Sequence, residues 1–419
     1  MPSRNKRVLI YSHDSFGLGH LRRCRAIAHS LVEHDPHVSV LILSGSPIIG
    51  NFEFRERVDF VRLPGVIKLR NGEYTALKLP MDIEETVALR ASIILHTAAA
   101  YDPAVFIVDK EPHGLRGEVQ ETLQMLKERN TTLVLGLRDI MDDPHLLAPE
   151  WKSKNVMPAL EDLYDGIWVY GLPQICDPLE GLDVPSRVRR KMVYTGYLQR
   201  RLSASTALPP EAPFGGKPYI LVTAGGGGDG SAMFDWVLRA YEDDPDQPIP
   251  AFFVLGPFLD ADQQASLNAR IDRLPNVRSI VFDTHPEALI ANATGIVAMG
   301  GYNTFCEILS FDKRAIVVPR TAPRLEQFIR AARAQHFGLV RMLVDEASDV
   351  SAPRPPDWRV MATALRHLPQ QGLPSETVLP GLLDGLDNVN RLVDLAIARR
   401  ARRNAGDRVV VAGRQPGRS

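Results

Sequence analysis

The sequence predicts an α/β protein built from two doubly wound, Rossmann-like halves that face each other across a cleft. Three observations predict it. Short apolar, β-branched runs alternate with helical patterns along most of the chain, as parallel sheets covered by helices require. The stretch from Leu202 to Pro218 is rich in Ser, Ala, Pro and Gly without apolar periodicity, so it divides the chain as a linker. Polar, glycine-bearing loops follow strands in both halves, at the sheet edge where open α/β folds bind ligands.

The totals agree with two or three soluble domains. At 419 residues the chain exceeds one ordinary domain, and 45% hydrophobic with 24% charged residues suits a full core. A formal net charge of −1 offers no general attraction for nucleic acid. Cys24, Cys176 and Cys306 are far apart and match no metal spacing, which fits reduced thiols in a cytoplasmic protein. No apolar run approaches the ~18 residues of a spanning helix, and the basic start at Met1–Arg7 lacks the apolar core of a secretory signal. A cytoplasmic location follows as the expectation, with at most peripheral membrane contact.

In the first half, residues 1–201, strands are expected at Val8–Tyr11, Val38–Leu43, Asp59–Leu63, Ala104–Val108, Thr132–Leu137, Ile167–Tyr170 and Met192–Tyr194. Helices are expected at Leu21–Glu33, Pro80–Ala100 and Leu115–Arg129. The second half, residues 219–385, repeats the alternation. Its strands are Tyr219–Val222, Ala251–Leu255, Val277–Phe282, Ile296–Met299 and Ala315–Val318, and its helices include Ser231–Ala240, Ala261–Arg273 and Pro286–Asn292. Asn303 or Thr304 starts a helix that runs to Ser310, and another begins after Pro323. A last helix spans Leu386–Arg403, and the Arg- and Gly-rich tail from Asn404 to Ser419 reads as disordered.

Four loops carry candidate chemistry. Gly225-Gly226-Gly227-Gly228-Asp229-Gly230 joins a strand to a helix, where glycines admit a phosphate close to free helix N–H groups. Gly225, Gly227 and Gly230 also satisfy a dinucleotide fingerprint, but that requires an acid ending the next strand, and Leu255-Gly256-Pro257 stands there. In the first half, Gly17 and Gly19 flank His20, which falls on a helical first turn where the dipole favours a neutral ring. Asp14 and Asp109 are further candidates to take or orient a proton, against readings as a capping residue and a structural strand end. Arg22 and Arg23 read as an exposed helix face rather than anion contacts. Gly301, Asn303, Thr304 and Glu307 follow the strand at Ile296, and a carboxylate at 307 can accept two ribose hydroxyls. Arg320, Glu326 and Gln327 follow the next strand, where Arg320 offers a cation and the other two can reach sugar hydroxyls. Together these describe a nucleotide-sugar pocket, with phosphate at Gly225–Gly230, ribose at Glu307 and hexose at Glu326-Gln327.

These same residues resemble glycosyltransferase family 28, the family of the N-acetylglucosamine transferase that makes lipid II. The resemblance rests on the glycine loop, on Gly301-Tyr302-Asn303-Thr304-Phe305-Cys306-Glu307, on Glu326-Gln327-Phe328-Ile329-Arg330-Ala331 and on Gly17-Leu18-Gly19-His20. It implies the GT-B fold and a nucleotide-diphosphate sugar donor, with UDP the family default, held by the second domain. It also implies an acceptor held by the first domain and inversion with neither an obligatory metal nor a cofactor. Glu326 departs from the family's two glutamines, and the family's apolar membrane-docking patch is not evident. Gly17 to Cys24 is also similar to the UDP-sugar hydrolase of pseudaminic acid synthesis, in which the loop histidine is catalytic and water replaces the acceptor. A nucleotide-sugar binder without catalysis is the third reading. The acceptor's chemical class is not legible in the sequence.

Overall fold

The computed structural model describes residues 6–13, 18–68, 73–202, 213–226, 228–283, 286–344 and 355–412, with side chains to residue 404. The chain forms two compact units. Met1–Pro173, Asp177–Leu198 and Asp384–Ser419 make the first, and Gln174–Cys176 with Gln199–Leu383 make the second.

In the first unit the strands are β1 (Arg7–Ser12), β2 (Ser39–Ser44), β3 (Val58–Arg62), β4 (Val66–Lys68), β5 (Tyr74–Ala76), β6 (Val105–Asp109), β7 (Thr132–Arg138), β8 (Gly166–Tyr170) and β9 (Met192–Tyr194). Its helices begin with α1 (Gly19–His34), α2 (Ile83–Tyr101), α3 (Gln120–Glu128), α4 (Pro144–Ser153), α5 (Val156–Asp162) and α6 (Ser186–Arg189). Seven strands form one sheet in the order β3-β2-β1-β6-β7-β8-β9, with every pairing parallel. The strands are apolar runs because helices cover them; Leu9, Phe106, Val108, Leu133 and Leu135 are buried in one cluster with Leu123 and Leu126 of α3. β4 and β5 stand apart as an antiparallel hairpin.

The second unit has strands β10 (Ile220–Thr223), β11 (Ala251–Val254), β12 (Val277–Ile280), β13 (Gly295–Ala298), β14 (Ala315–Val317) and β15 (Arg341–Met342). Its helices are α7 (Ser231–Asp243), α8 (Ala261–Ile271), α9 (Pro286–Asn292), α10 (Tyr302–Ser310), α11 (Glu326–His336) and α12 (Trp358–His367). The sheet order is β12-β11-β10-β13-β14-β15, again parallel throughout. Phe234, Val237 and Tyr241 of α7 pack with Phe253, Met361 and Leu365 into its core.

In each sheet the chain winds outward to one side and then crosses to the other. The reversal lies between β1 and β6 in the first unit and between β10 and β13 in the second. Loops diverge at such a point, and the crevice at the strands' carboxyl ends binds ligands. Fold topology therefore singles out the ends of those four strands.

One expectation about the chain's end is corrected. The last helix, α13 (Gly385–Ala412), belongs to the first unit and continues through the segment from Asn404 expected to be disordered; residues 413–419 lie outside the described residues. Its buried Val389, Val393 and Ile397 form one stripe. Polar bonds from Asn390 to Ser30 (3.0 Å) and from Arg400 to Asp102 (2.6 Å) fix its register. The sequence reading passed over α4, α5, α12 and the β4–β5 hairpin.

Gly136 in β7 faces the ring of Tyr170, and a Cβ there would lie 2.3 Å from the phenol oxygen. Tyr170 is buried and has no room to retreat. Gly136→Ala is expected to destabilise the protein by about 1–3 kcal/mol, the usual cost of overpacking, measurable as a shift in the denaturant midpoint.

Candidate active site

At the first unit's reversal point, β6 ends on Asp109, and His13 directly follows β1. α1 starts at Gly19, so His20 and Arg23 share one face of its first turn, three residues apart. Both side chains reach Asp109. His20 Nδ1 lies 2.5 Å from Asp109 Oδ2, and Arg23 donates from Nε to Oδ1 at 2.8 Å and from Nη2 to Oδ2 at 2.7 Å. The carboxylate accepts from Nδ1–H, which leaves Nε2 of His20 with the free lone pair of a base.

Electrostatics keep this base neutral. Burial lowers the pKa of His20 below its ordinary value, opposed by the Asp109 carboxylate and assisted by the Arg23 charge. Burial works against the charged form of Asp109, yet Arg23 and His20 together hold it well below the usual carboxylate range. His13 is buried beside them, its ring 5.7 Å from that of His20 in an edge-on contact. Desolvation takes its pKa down to about 3.

A buried network underlies this edge. Arg90 grips Glu118 through Nε and Nη2, both at 2.6 Å, and donates to the Pro64 carbonyl at 2.7 Å. Tyr11 donates its hydroxyl to Glu118 at 2.5 Å and accepts from the Leu115 amide at 3.1 Å. Burial, then the Glu118 charge, raises the Tyr11 pKa well above its ordinary value, so the hydroxyl stays a donor. The loop after β6 is thereby held to β1 and α2. On it, Glu111 accepts from Lys154 at 2.9 Å and pairs with Lys110 at 3.4 Å.

In the second unit, α7, α10 and α11 begin just beyond β10, β13 and β14, which are adjacent in the sheet. Three helix N-termini therefore share one sheet edge, and the partial positive charge of their dipoles suits anions. Gly225 has φ +76°, and its amide donates to Thr223 Oγ1 at 3.1 Å. A Cβ at Gly225 would come within 3.3 Å of Thr304 Oγ1, and one at Gly228 would strike the Phe258 carbonyl at 2.4 Å. The glycines thus let the loop lie against its neighbours. Gly226 continues the loop, Gly230 caps α7, and Gly301 caps α10; a Cβ at Gly301 would meet no atom within 4 Å.

Arg320 joins two of these loops. It donates to Asp229 of the glycine loop at 2.5 Å and to Glu326 at 2.6 Å, and its amide donates to Gln327 Oε1 at 3.2 Å. Burial opposes its charge, but Glu326 and Asp229 outweigh that and raise its pKa. Arg320 is therefore a counter-ion bridge rather than an unengaged cation. Asn303 accepts from buried Arg200 at 2.8 Å. Thr304, Glu307, Glu326 and Gln327 are buried at this edge.

The expected residues thus gather in two groups. His20 and Asp109 meet in the first unit, while Gly225, Gly226, Gly228, Asp229, Gly230, Gly301, Asn303, Thr304, Glu307, Arg320, Glu326 and Gln327 share one sheet edge of the second. Asp14, Gly17 and Gly227 lie outside the described residues. Arg23 corrects the reading as an exposed face: it is 2% exposed and chelates Asp109. His13, Glu111, Arg200 and the Arg90–Glu118 pair were missed. The only local signal was an ionisable residue at or just past a strand end, which His13 and Glu111 share with Asp109. Among the described residues, no group of three or more His, Cys, Asp or Glu could hold a metal ion, and no helix is long and apolar enough to cross a membrane.

Solved structures share this architecture across nearly the whole chain. A UDP-glucosyltransferase from Polygonum tinctorium superposes with a TM-score of 0.62 at 13% identity, covering 94% of this chain and 99% of its own. MurG from Acinetobacter baumannii gives 0.54 at 12% identity, covering 93% and 99%. The fold is GT-B. A protein from Methanosarcina acetivorans named as an uncharacterized glycosyltransferase is 26% identical over 400 residues, covering 92% of this chain and 97% of its own. No family model matches the chain. In GT-B terms the first group lies in the N-terminal domain and the second in the C-terminal one.

The buried imidazole of His13 has a signature in acid. Unfolded, it takes up a proton near pH 6.5; folded, it does so only near 3. Stability present above pH 6.5 is therefore lost as the pH falls through that window, by about 2 kcal/mol at pH 5. Urea melts should show a weaker dependence between pH 6.5 and 5 in His13→Gln.

Proposed function

We propose that the protein transfers a hexose or N-acetylhexosamine from a nucleotide-diphosphate sugar, with UDP the favoured nucleotide, to a hydroxyl acceptor, inverting the anomeric carbon without a metal. The observation that carries this reading is the His20–Asp109 pair, a neutral imidazole whose inner nitrogen is held by a carboxylate at 2.5 Å, which leaves the lone pair on the outer nitrogen. The names of the relative and of the fold neighbours support the reaction class.

In the proposed reaction, Nε2 of His20 removes the acceptor proton as the acceptor oxygen bonds to the anomeric carbon. The bond from that carbon to the diphosphate breaks on the opposite face, and its electron pair leaves with the diphosphate. N–H groups at the starts of α7 and α10 receive the growing charge, and they need no reorganisation to do so. Asp109 positions the ring and stabilises the imidazolium. Glu307 receives the ribose, and Glu326 with Gln327 the sugar. Arg320 offsets Asp229 and Glu326, whose charges would otherwise repel the diphosphate.

His20→Ala is expected to lower kcat by about 10²–10⁴-fold while leaving UDP affinity within a factor of a few, as loss of a general base requires. Wild-type activity should persist below the ordinary histidine range and fall only when His20 protonates. UDP should raise Tm in the wild type, and Glu307→Ala should remove most of that increase. An absence of any nucleotide-diphosphate effect on Tm would end the donor assignment. Mass spectrometry of the products with and without acceptor separates transfer from hydrolysis: full turnover in water alone, abolished in His20→Ala, would assign a hydrolase instead.

A further inference from the structure

Arg320 answers its two acids through separate nitrogens, and the two halves of this bridge are unlike. Nη2 donates to Glu326, whose side chain is 6% exposed at the start of α11. Nη1 donates to Asp229, whose side chain is 40% exposed on the glycine loop. Glu326 also does more than Asp229 to hold the guanidinium charged. A further donor, Nε, is buried and has no hydrogen-bond partner, so the two acids do not exhaust the fork.

One cation faces two carboxylates, so the trio is net negative. A nucleoside diphosphate adds negative charge at the same edge, because Gly230, the cap of α7, directly follows Asp229. Phosphate oxygens match the guanidinium fork as carboxylates do, and they compete with the acids for it. The acid held less firmly gives way first. Releasing Glu326 would leave a buried carboxylate without its cation, which is a heavy cost. Releasing Asp229 returns an exposed carboxylate to water, and exposed pairs contribute little. The glycine loop need not move for this. A Cβ at Gly228 would lie 2.4 Å from the Phe258 carbonyl, and one at Gly230 would lie 2.3 Å from the Ala224 Cβ. Both neighbours of Asp229 thus sit tight against their surroundings, and rotation of one side chain suffices for the exchange.

We propose that Asp229 is a displaceable counter-ion: a nucleoside diphosphate takes Nη1 of Arg320 from it, while Glu326 keeps Nη2. Asp229 thereby weakens donor binding and reserves Arg320 for a ligand that brings phosphate charge. This assignment rests on the donor assignment and adds a residue that sets its affinity. Isothermal titration calorimetry on the full chain tests it, with UDP and uridine as probes. Asp229→Asn, which keeps the side chain's shape at an exposed position, should bind UDP about threefold or more tighter than the wild type. Uridine, which brings no phosphate, should bind both proteins alike. A merely structural Asp229 predicts the reverse, a loosened glycine loop and weaker UDP binding. A crystal structure of the wild type with UDP gives a readout independent of any variant. In it a phosphate oxygen should lie within hydrogen-bond distance of Nη1, with the Asp229 carboxylate turned away. The assignment is overturned if Asp229→Asn binds UDP no tighter, if uridine gains as much as UDP, or if Arg320 and Asp229 stay paired in the UDP complex. Each of these outcomes leaves the donor assignment standing, since UDP still binds the wild type. Absence of UDP binding to the wild type sinks both.

Discussion

The buried carboxylate of Asp109 is the constraint on which the first unit's candidate site depends. A charge at the end of a covered strand is tolerable only if it is paired and hydrogen-bonded. Arg23 supplies the pairing through two donors and His20 supplies a third. Since Arg23 and His20 share one face of α1, the contact that compensates the charge also sets the first turn of that helix over the strand end. Charge compensation and orientation of the base are one interaction. The guanidinium shares the carboxylate with the imidazole, so the Asp109 charge is divided between Arg23 and His20.

The second unit meets a related problem with a different device. Three helix N-termini at one sheet edge create partial positive charge, yet Asp229 and Glu326 stand at the same edge. Two uncompensated acids would cancel what the helices provide. Arg320 spans them, so each acid faces a cation and their charges are offset at this edge. Glu326, where a second glutamine is typical of the resembled family, comes with its own cation.

Beneath the first site, the Arg90–Glu118–Tyr11 network ties the loop after β6 to β1 and α2. The same loop carries Glu111 and, with His13, lines a cavity. Rigidity there is supplied by polar groups that satisfy one another, and a partly satisfied set would hold neither the loop nor the cavity in one shape.

Much of this protein is local and therefore legible from sequence alone. Apolar runs became strands and helical periods became helices because burial selects those periods wherever a sheet is covered. The loops at Gly225–Gly230 and Gly300-Gly301 declared themselves through glycine, whose special backbone is a property of the residue. Tertiary structure alone decided which strands are neighbours. β6 lies beside β1, which brings Asp109 to a histidine 89 positions earlier, and Arg23, taken for surface, is buried by the partner this creates. Likewise, α13 returns to the first unit because Val389 and Val393 find their cover there, and the basic segment after Arg403 stays helical with it. Buried charges are compensated by groups distant in sequence. No local pattern encodes which ones, so the site's residue types were visible beforehand and its pairings were not.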